Sequence, residues 1–162
     1  MSRKNLISSL LFLSLLFPVL TLAANDIQFT STAEVEVQQV NAKGEKVLVR
    51  QPAVLLQPGE IAIYTNAFTN TGKQAAEKVV INNPVPVNTE YLAGSATDAG
   101  FNLVFSVDKG KTYGRPGELT VPDGKGGKRP AEPKEYTNLR WTMQAPLQPG
   151  ATGVVEFRVR VK

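Results

Sequence analysis

The side chains on which most hydrolases and transition-metal sites depend are absent from this sequence of 162 residues, which contains no histidine and no cysteine. Lack of histidine removes the commonest general base near neutral pH and the commonest transition-metal ligand. Lack of cysteine removes thiolate chemistry and disulfide staples together. The carboxylates are scattered, none at calcium-loop spacing, and neither G-x-x-x-x-G-K-[ST] nor G-x-G-x-x-G opens a helix. The sequence therefore assigns no catalytic residue, no metal ligand and no cofactor, and it reads as non-enzymatic. One covalent possibility stays open: a Lys–Asn amide bond joining Lys46 or Lys78 to Asn138, assisted by a buried acid and releasing one ammonia. For binding, the candidates are Tyr113 and Tyr136, read as exposed loop aromatics able to stack on a sugar ring. They carry the alternative reading of the chain, a carbohydrate-binding β-sandwich.

Two loops bear on these residues. Ser106 to Tyr113, SVDKGKTY, resembles the Asp-box hairpin, S-x-D-x-G-x-T followed by an aromatic, which recurs in sialidases and other propellers. Physically, the aspartate accepts backbone N–H bonds across the turn, the glycine supplies a positive φ, and Thr112 and Tyr113 restart the strand. A sialidase needs several such boxes at blade spacing and this chain has one, so the motif reads as a turn-stabilising device. Pro122 to Lys134, PDGKGGKRPAEPK, has Gly or Pro at six of thirteen positions and is expected to be a flexible hairpin loop without regular structure. Its Lys125, Lys128, Arg129 and Lys134 alternate with Asp123 and Glu132, and no aromatic is interleaved, so no nucleic-acid partner is expected.

The elements that must position these residues follow an export signal. Arg3 and Lys4 form a positive n-region, and Leu6 to Leu20 an apolar h-region broken by Ser8, Ser9, Ser14 and Pro18. Thr21-Leu22-Ala23-Ala24 then offers small residues for cleavage after Ala23 or Ala24. Residues 1–24 are expected to be a signal peptide and 25–162 a single domain, periplasmic or extracellular, with no integral membrane span after cleavage. The chain carries 18 basic and 14 acidic side chains; removing Arg3 and Lys4 leaves 16 against 14, a net +2 that calls for no polyanionic partner.

Hydrophobic parity predicts strands throughout. Gln57 to Pro86 is the organising stretch: Glu60 to Thr69 reads as a strand with Ala62, Tyr64 and Phe68 on one face and Ile61, Ile63, Thr65 and Ala67 on the other. With neither face purely polar, it is expected to be central in a sandwich or covered by a loop on its second side, not a solvent-facing edge. Asn70-Thr71-Gly72 is read as reversing the chain into a second strand, Glu77 to Asn82, ended by Asn83-Pro84-Val85-Pro86. Before this pair, Asp26 to Val40 and Lys46 to Leu56 are strands joined by Asn41-Ala42-Lys43-Gly44, and Pro52 marks an edge strand or a bend where the chain changes sheets. After it come Thr89 to Gly94, Asn102 to Val107, Leu119 to Val121, Asn138 to Met143 and Gly153 to Lys162. Trp141 shares a phase with Leu139 and Met143 and is assigned to the core. The last strand alternates Val155, Phe157, Val159 and Val161 with Glu156, Arg158 and Arg160, the strongest period-2 signal in the chain. Eight or nine short strands imply an all-β, antiparallel two-sheet immunoglobulin-like sandwich.

Several spaced positions resemble the bacterial and archaeal conserved repeat domain, domain-of-unknown-function family eleven. They are Pro58-Gly59-Glu60, Tyr64, Asn70-Thr71-Gly72, Asn83-Pro84-Val85-Pro86, Tyr91, Gly94-Ser95-Ala96, Leu139-Arg140-Trp141, Leu147-Gln148-Pro149-Gly150 and Val155 to Val159, within Leu55 to Lys162. The family usually has Asp where Asn83 stands, and the chain holds a single copy. The resemblance implies an Ig-like module outside the cytoplasm with no known catalytic residues. It points to a structural or protein-interaction role in the cell envelope, with another envelope protein bound through an exposed strand edge or loops.

Overall fold

A computed structural model describes residues Ile27 to Lys162; the expected signal peptide lies outside the described residues. The strands are β1 (Ile27–Val40), β2 (Lys46–Pro52), β3 (Ile61–Asn70), β4 (Val80–Pro84), β5 (Thr89–Tyr91), β6 (Phe101–Ser106), β7 (Thr120–Pro122), β8 (Lys128–Pro130), β9 (Asn138–Met143) and β10 (Thr152–Val161). A 3-10 turn, Pro133–Glu135, precedes β9. Antiparallel pairing arranges them as a five-stranded sheet, β2-β1-β3-β10-β5, a three-stranded sheet, β4-β9-β6, and the ribbon β7-β8. The two larger sheets pack face to face, so the fold is an all-β, antiparallel two-sheet sandwich.

The core is built from the residues whose parity predicted it. Leu139, Trp141, Val155, Phe157 and Val159 have no exposed surface. Each such side chain contributes about 1.5–3 kcal/mol of transfer free energy. The Trp141 ring lies 6.0 Å from Phe157, which stacks on Tyr64 at 5.3 Å, so β9 meets β10 and β3 through three rings. The Trp141 indole N–H donates to the Thr97 carbonyl at 2.7 Å, satisfying the one polar atom that burial would otherwise strand. At the other end of the same sheet Gly153 stands beside Phe68, whose ring covers it so closely that a Cβ would fall 2.3 Å from ring carbons. Glycine is required there by contact, since its φ is unexceptional.

β3 is central, as its two-sided apolar pattern implies, because β1 and β10 flank it. That arrangement overturns the expected hairpin between β3 and the strand that follows. Both edges of β3 are already paired, so β4 joins β9 in the opposite sheet. The turn chemistry at Asn70 serves the crossing instead. Its amide nitrogen donates to the Gln74 and Leu147 carbonyls at 2.7 and 2.8 Å, and its Oδ1 accepts the Gly72 N–H at 3.0 Å.

β4 also starts later and ends later than Glu77 to Asn82. Lys78 takes a left-handed φ of 52°, which breaks the strand before Val80. Pro84 is tolerated inside β4 because this is an edge strand: Val85 donates inward to Thr137, so the missing Pro84 N–H lies on the outer side. β2 is an edge strand that stops at Pro52, in line with the role given to that proline.

Pro122 to Lys134 is a further correction. It is not a structureless loop: Thr120–Pro122 pairs with Lys128–Pro130, and Asp123 Oδ1 accepts the N–H groups of Lys125 and Gly127 at 2.7 and 2.9 Å to close the turn. Arg129 then grips Glu135 with two 2.7 Å bonds, tying the ribbon to the 3-10 turn. The glycines supply turn conformations, and one carboxylate with one bidentate ion pair imposes order on the rest.

Candidate functional site

The structure separates the two candidate tyrosines and gives each a structural partner. Tyr113 is half-buried, and the Arg140 guanidinium lies 3.6 Å above its ring, occupying the face a sugar would need. Arg140 is held in place by Asn82, whose Oδ1 accepts from its Nε at 2.6 Å. The reading of Tyr136 as an exposed platform is corrected: only 4% of it is exposed. Its ring lies 4.5 Å from Phe105 and 6.0 Å from Tyr91, in a cluster that closes the β5 and β6 side of the sandwich. Placing Tyr136 in a loop was sound; the neighbouring 3-10 turn, however, directs it inward. Burial holds both the Tyr91 and Tyr136 phenols above the ordinary tyrosine value, so they are neutral donors at physiological pH.

The Asp-box-like turn forms as its chemistry required. Asp108 accepts from the Thr112 N–H and hydroxyl at 2.9 and 2.7 Å and from the Ser106 hydroxyl at 2.7 Å. These bonds hold its carboxyl well below the usual range. Gly110 has φ 80°, and a Cβ there would come within 2.9 Å of the Tyr113 hydroxyl. No strand restarts at Thr112; the chain touches β6 through the isolated pair Phe105 and Gly114. With its oxygens committed to the turn, Asp108 is structural.

The residues proposed for an amide cross-link are not brought together. Asn138 pairs with Pro84 and Ser106, Lys78 lies two residues before Val80 at the other end of β4, and Lys46 pairs with Val40 in the opposite sheet. Among the described residues, no three of Asp and Glu are grouped closely enough to hold a metal ion. No helix there is long and apolar enough to cross a membrane.

Two features were not read from the sequence. The first is a charged lattice over the outer face of the five-stranded sheet. Arg50 makes bonds of 2.7 and 3.1 Å to Glu156 and lies 3.8 Å from Glu36, while Arg158 makes two 3.1 Å bonds to Glu36. Ile63 sits between the rows that carry these side chains and is 1% exposed, although it is on the face turned away from the core. The signal was present in the matched parity of Glu34, Glu36, Arg50, Glu156 and Arg158, but only the register shows that their rows converge.

The second feature is a groove of about 280 Å³ on the β5 and β6 side, bordered by Tyr91, Ala96, Asp98, Phe105, Pro116 and Tyr136. Its residues come from five separate places in the chain, so no local motif announces it.

No family model, no curated protein and no solved structure matches this chain. Function must therefore be argued from the surfaces themselves. Four of the most exposed large apolar residues lie along the β1–β2 ribbon and the loop after it, Val40 at 67%, Leu48 at 64%, Val54 at 92% and Leu55 at 87%, whereas Val87, at 88%, stands apart between β4 and β5. Beyond Glu34 the ribbon is no longer paired with β3 and leans over the outer face of the sheet, where Arg50 reaches Glu156 and where Val37 and Leu48 border a cavity shared with Ile61, Ile63 and Arg158.

Proposed function

We propose that the chain is an exported, non-catalytic, Ig-like interaction module of the cell envelope, which binds another envelope protein through the β1–β2 ribbon and the loop that follows. The succession of exposed apolar side chains from Val40 to Leu55 carries this reading, since surface residues of that size and exposure mark contact sites when they gather on one ribbon and its loop. Two further observations support it. Among the described residues the outer edge of β2 has no partner strand, although Lys46, Arg50 and Pro52 guard it against indiscriminate pairing. The N-terminal residues have the pattern of an export signal, and the spaced turn and core positions resemble an envelope repeat domain.

The carbohydrate-binding alternative is weakened by its own candidates, because Tyr136 is enclosed and the ring face of Tyr113 is covered by Arg140. The test is a crosslinking pulldown from envelope extract using the wild-type chain and a Val54→Ser/Leu55→Ser double variant as baits. Both side chains are exposed, so the variant should fold unchanged. A partner captured by the wild type and lost by the variant is expected. Equal capture by both, or specific retention on immobilised glycans, would reject the ribbon as the binding element.

A further inference from the structure

The groove on the β5 and β6 side combines an aromatic floor with polar groups that the chain itself leaves unanswered. Tyr91, Phe105 and Tyr136 pack against one another with centroids 4.5 to 6.0 Å apart. Tyr136, 4% exposed, borders the groove, and its hydroxyl makes no hydrogen bond among the described residues while keeping contact with solvent, unlike the enclosed Asn66 amide. The Tyr91 hydroxyl accepts the Ala96 N–H at 3.3 Å. At the rim stands Asp98. Of the described carboxylates, only Asp98 and Glu77 have neither an ion pair nor a hydrogen bond, and only Asp98 borders this groove.

This chemistry narrows the ligand. A saccharide would place many hydroxyls against alanine, proline and ring edges, where almost none could be satisfied. A wholly apolar group would leave the Tyr136 hydroxyl enclosed without a partner, and would not use the carboxylate. An arginine would bring five fixed donors to a site with one carboxylate and one free phenol oxygen. We propose that the groove receives a lysine side chain from an extended segment of a partner protein. The four-carbon stem lies along Ala96, Pro116 and the aromatic floor, and the ammonium donates to the Asp98 carboxylate and the Tyr136 hydroxyl oxygen. The negative rim selects for the cation, and the apolar walls select for a stem long enough to span them. The site is distinct from the β1–β2 ribbon, and it stands or falls independently of the envelope-partner reading.

The test is an NMR titration of uniformly 15N-labelled protein with a blocked pentapeptide, Gly-Gly-Lys-Gly-Gly, at fixed ionic strength. Saturable shifts in the Ala93, Gly94, Ala96 and Asp98 amides are expected, with a Kd on the order of millimolar for so small a probe. Norleucine in place of lysine should weaken binding roughly tenfold or more, because the charge-assisted bond is lost. Asp98→Asn should do the same; Asp98 is exposed, so the fold is unaffected. Tyr136→Phe should weaken binding by a smaller factor, whereas Val54→Ser/Leu55→Ser should leave the shifts unchanged. Absence of saturable shifts, equal binding of the norleucine peptide, or full binding by Asp98→Asn would each overturn the proposal.

Discussion

Asn66 faces inward from β3 with 1% of its surface exposed, and neither its carbonyl oxygen nor its amide nitrogen meets a partner in the chain. An enclosed amide in that state opposes folding, so Asn66→Leu, which keeps the branched outline and removes both unpaired polar atoms, should raise stability by about 1–2 kcal/mol. The measurement is the urea midpoint, which should rise with an unchanged slope. At Gly153 the constraint is steric, and Gly153→Ala should lower stability by about 1–3 kcal/mol because Phe68 must leave its rotamer. Glu135 offers a third test at this scale. The Arg129 fork, with the Glu132 N–H behind it, lowers its carboxyl to about 2. The sign follows from the folded value lying below the unfolded one: its stabilisation is complete above the ordinary Glu value of about 4.3 and is lost as pH falls from there toward 2. Carbon-detected titration of Glu135 should show the low midpoint, and Arg129→Gln should return it toward the ordinary range.

Among the elements, β3 shows both what could be read in advance and what could not. Its central position followed from two apolar faces, and β10 and β9 followed from strict alternation around Phe157 and Trp141. The partner of the strand after Asn70 did not follow, because local turn chemistry is the same whether the chain folds back on its own sheet or crosses to the other. Only the occupancy of both β3 edges decides, and that depends on β1 and β10, which are far away in sequence. For the same reason the groove was illegible: Tyr136 and Tyr91 were visible as aromatics, but their enclosure depends on loops that meet only in the folded chain. Ile63 gives the element-scale prediction. Although it is on the outer face, it is as buried as a core residue, so Ile63→Ala should cost about 2–4 kcal/mol by chemical denaturation. A loss below about 0.5 kcal/mol would mean that the arginine and glutamate side chains do not cover it.

Over the whole molecule, contacts are dominated by pairings between distant segments: β1 and β10, the first and last strands, both bond to β3. Such topology predicts slow folding, on a timescale of milliseconds to seconds, observable by stopped-flow tryptophan fluorescence from Trp141. Microsecond relaxation would contradict the register described above.

The flanking of β3 by the first and last strands also constrains how the chain emerges from the ribosome. A nascent polypeptide can lay β1 against β3 early, but the other side of β3 has nothing to bond until residues 152 to 161 have been made. The sheet therefore cannot close until those residues have emerged. A product terminated before β10 lacks Val155, Phe157 and Val159, which leaves Trp141 and Tyr64 without their cover and makes such truncated chains natural prey for proteases. Strand β10 thus acts as a completeness check on the strands made before it.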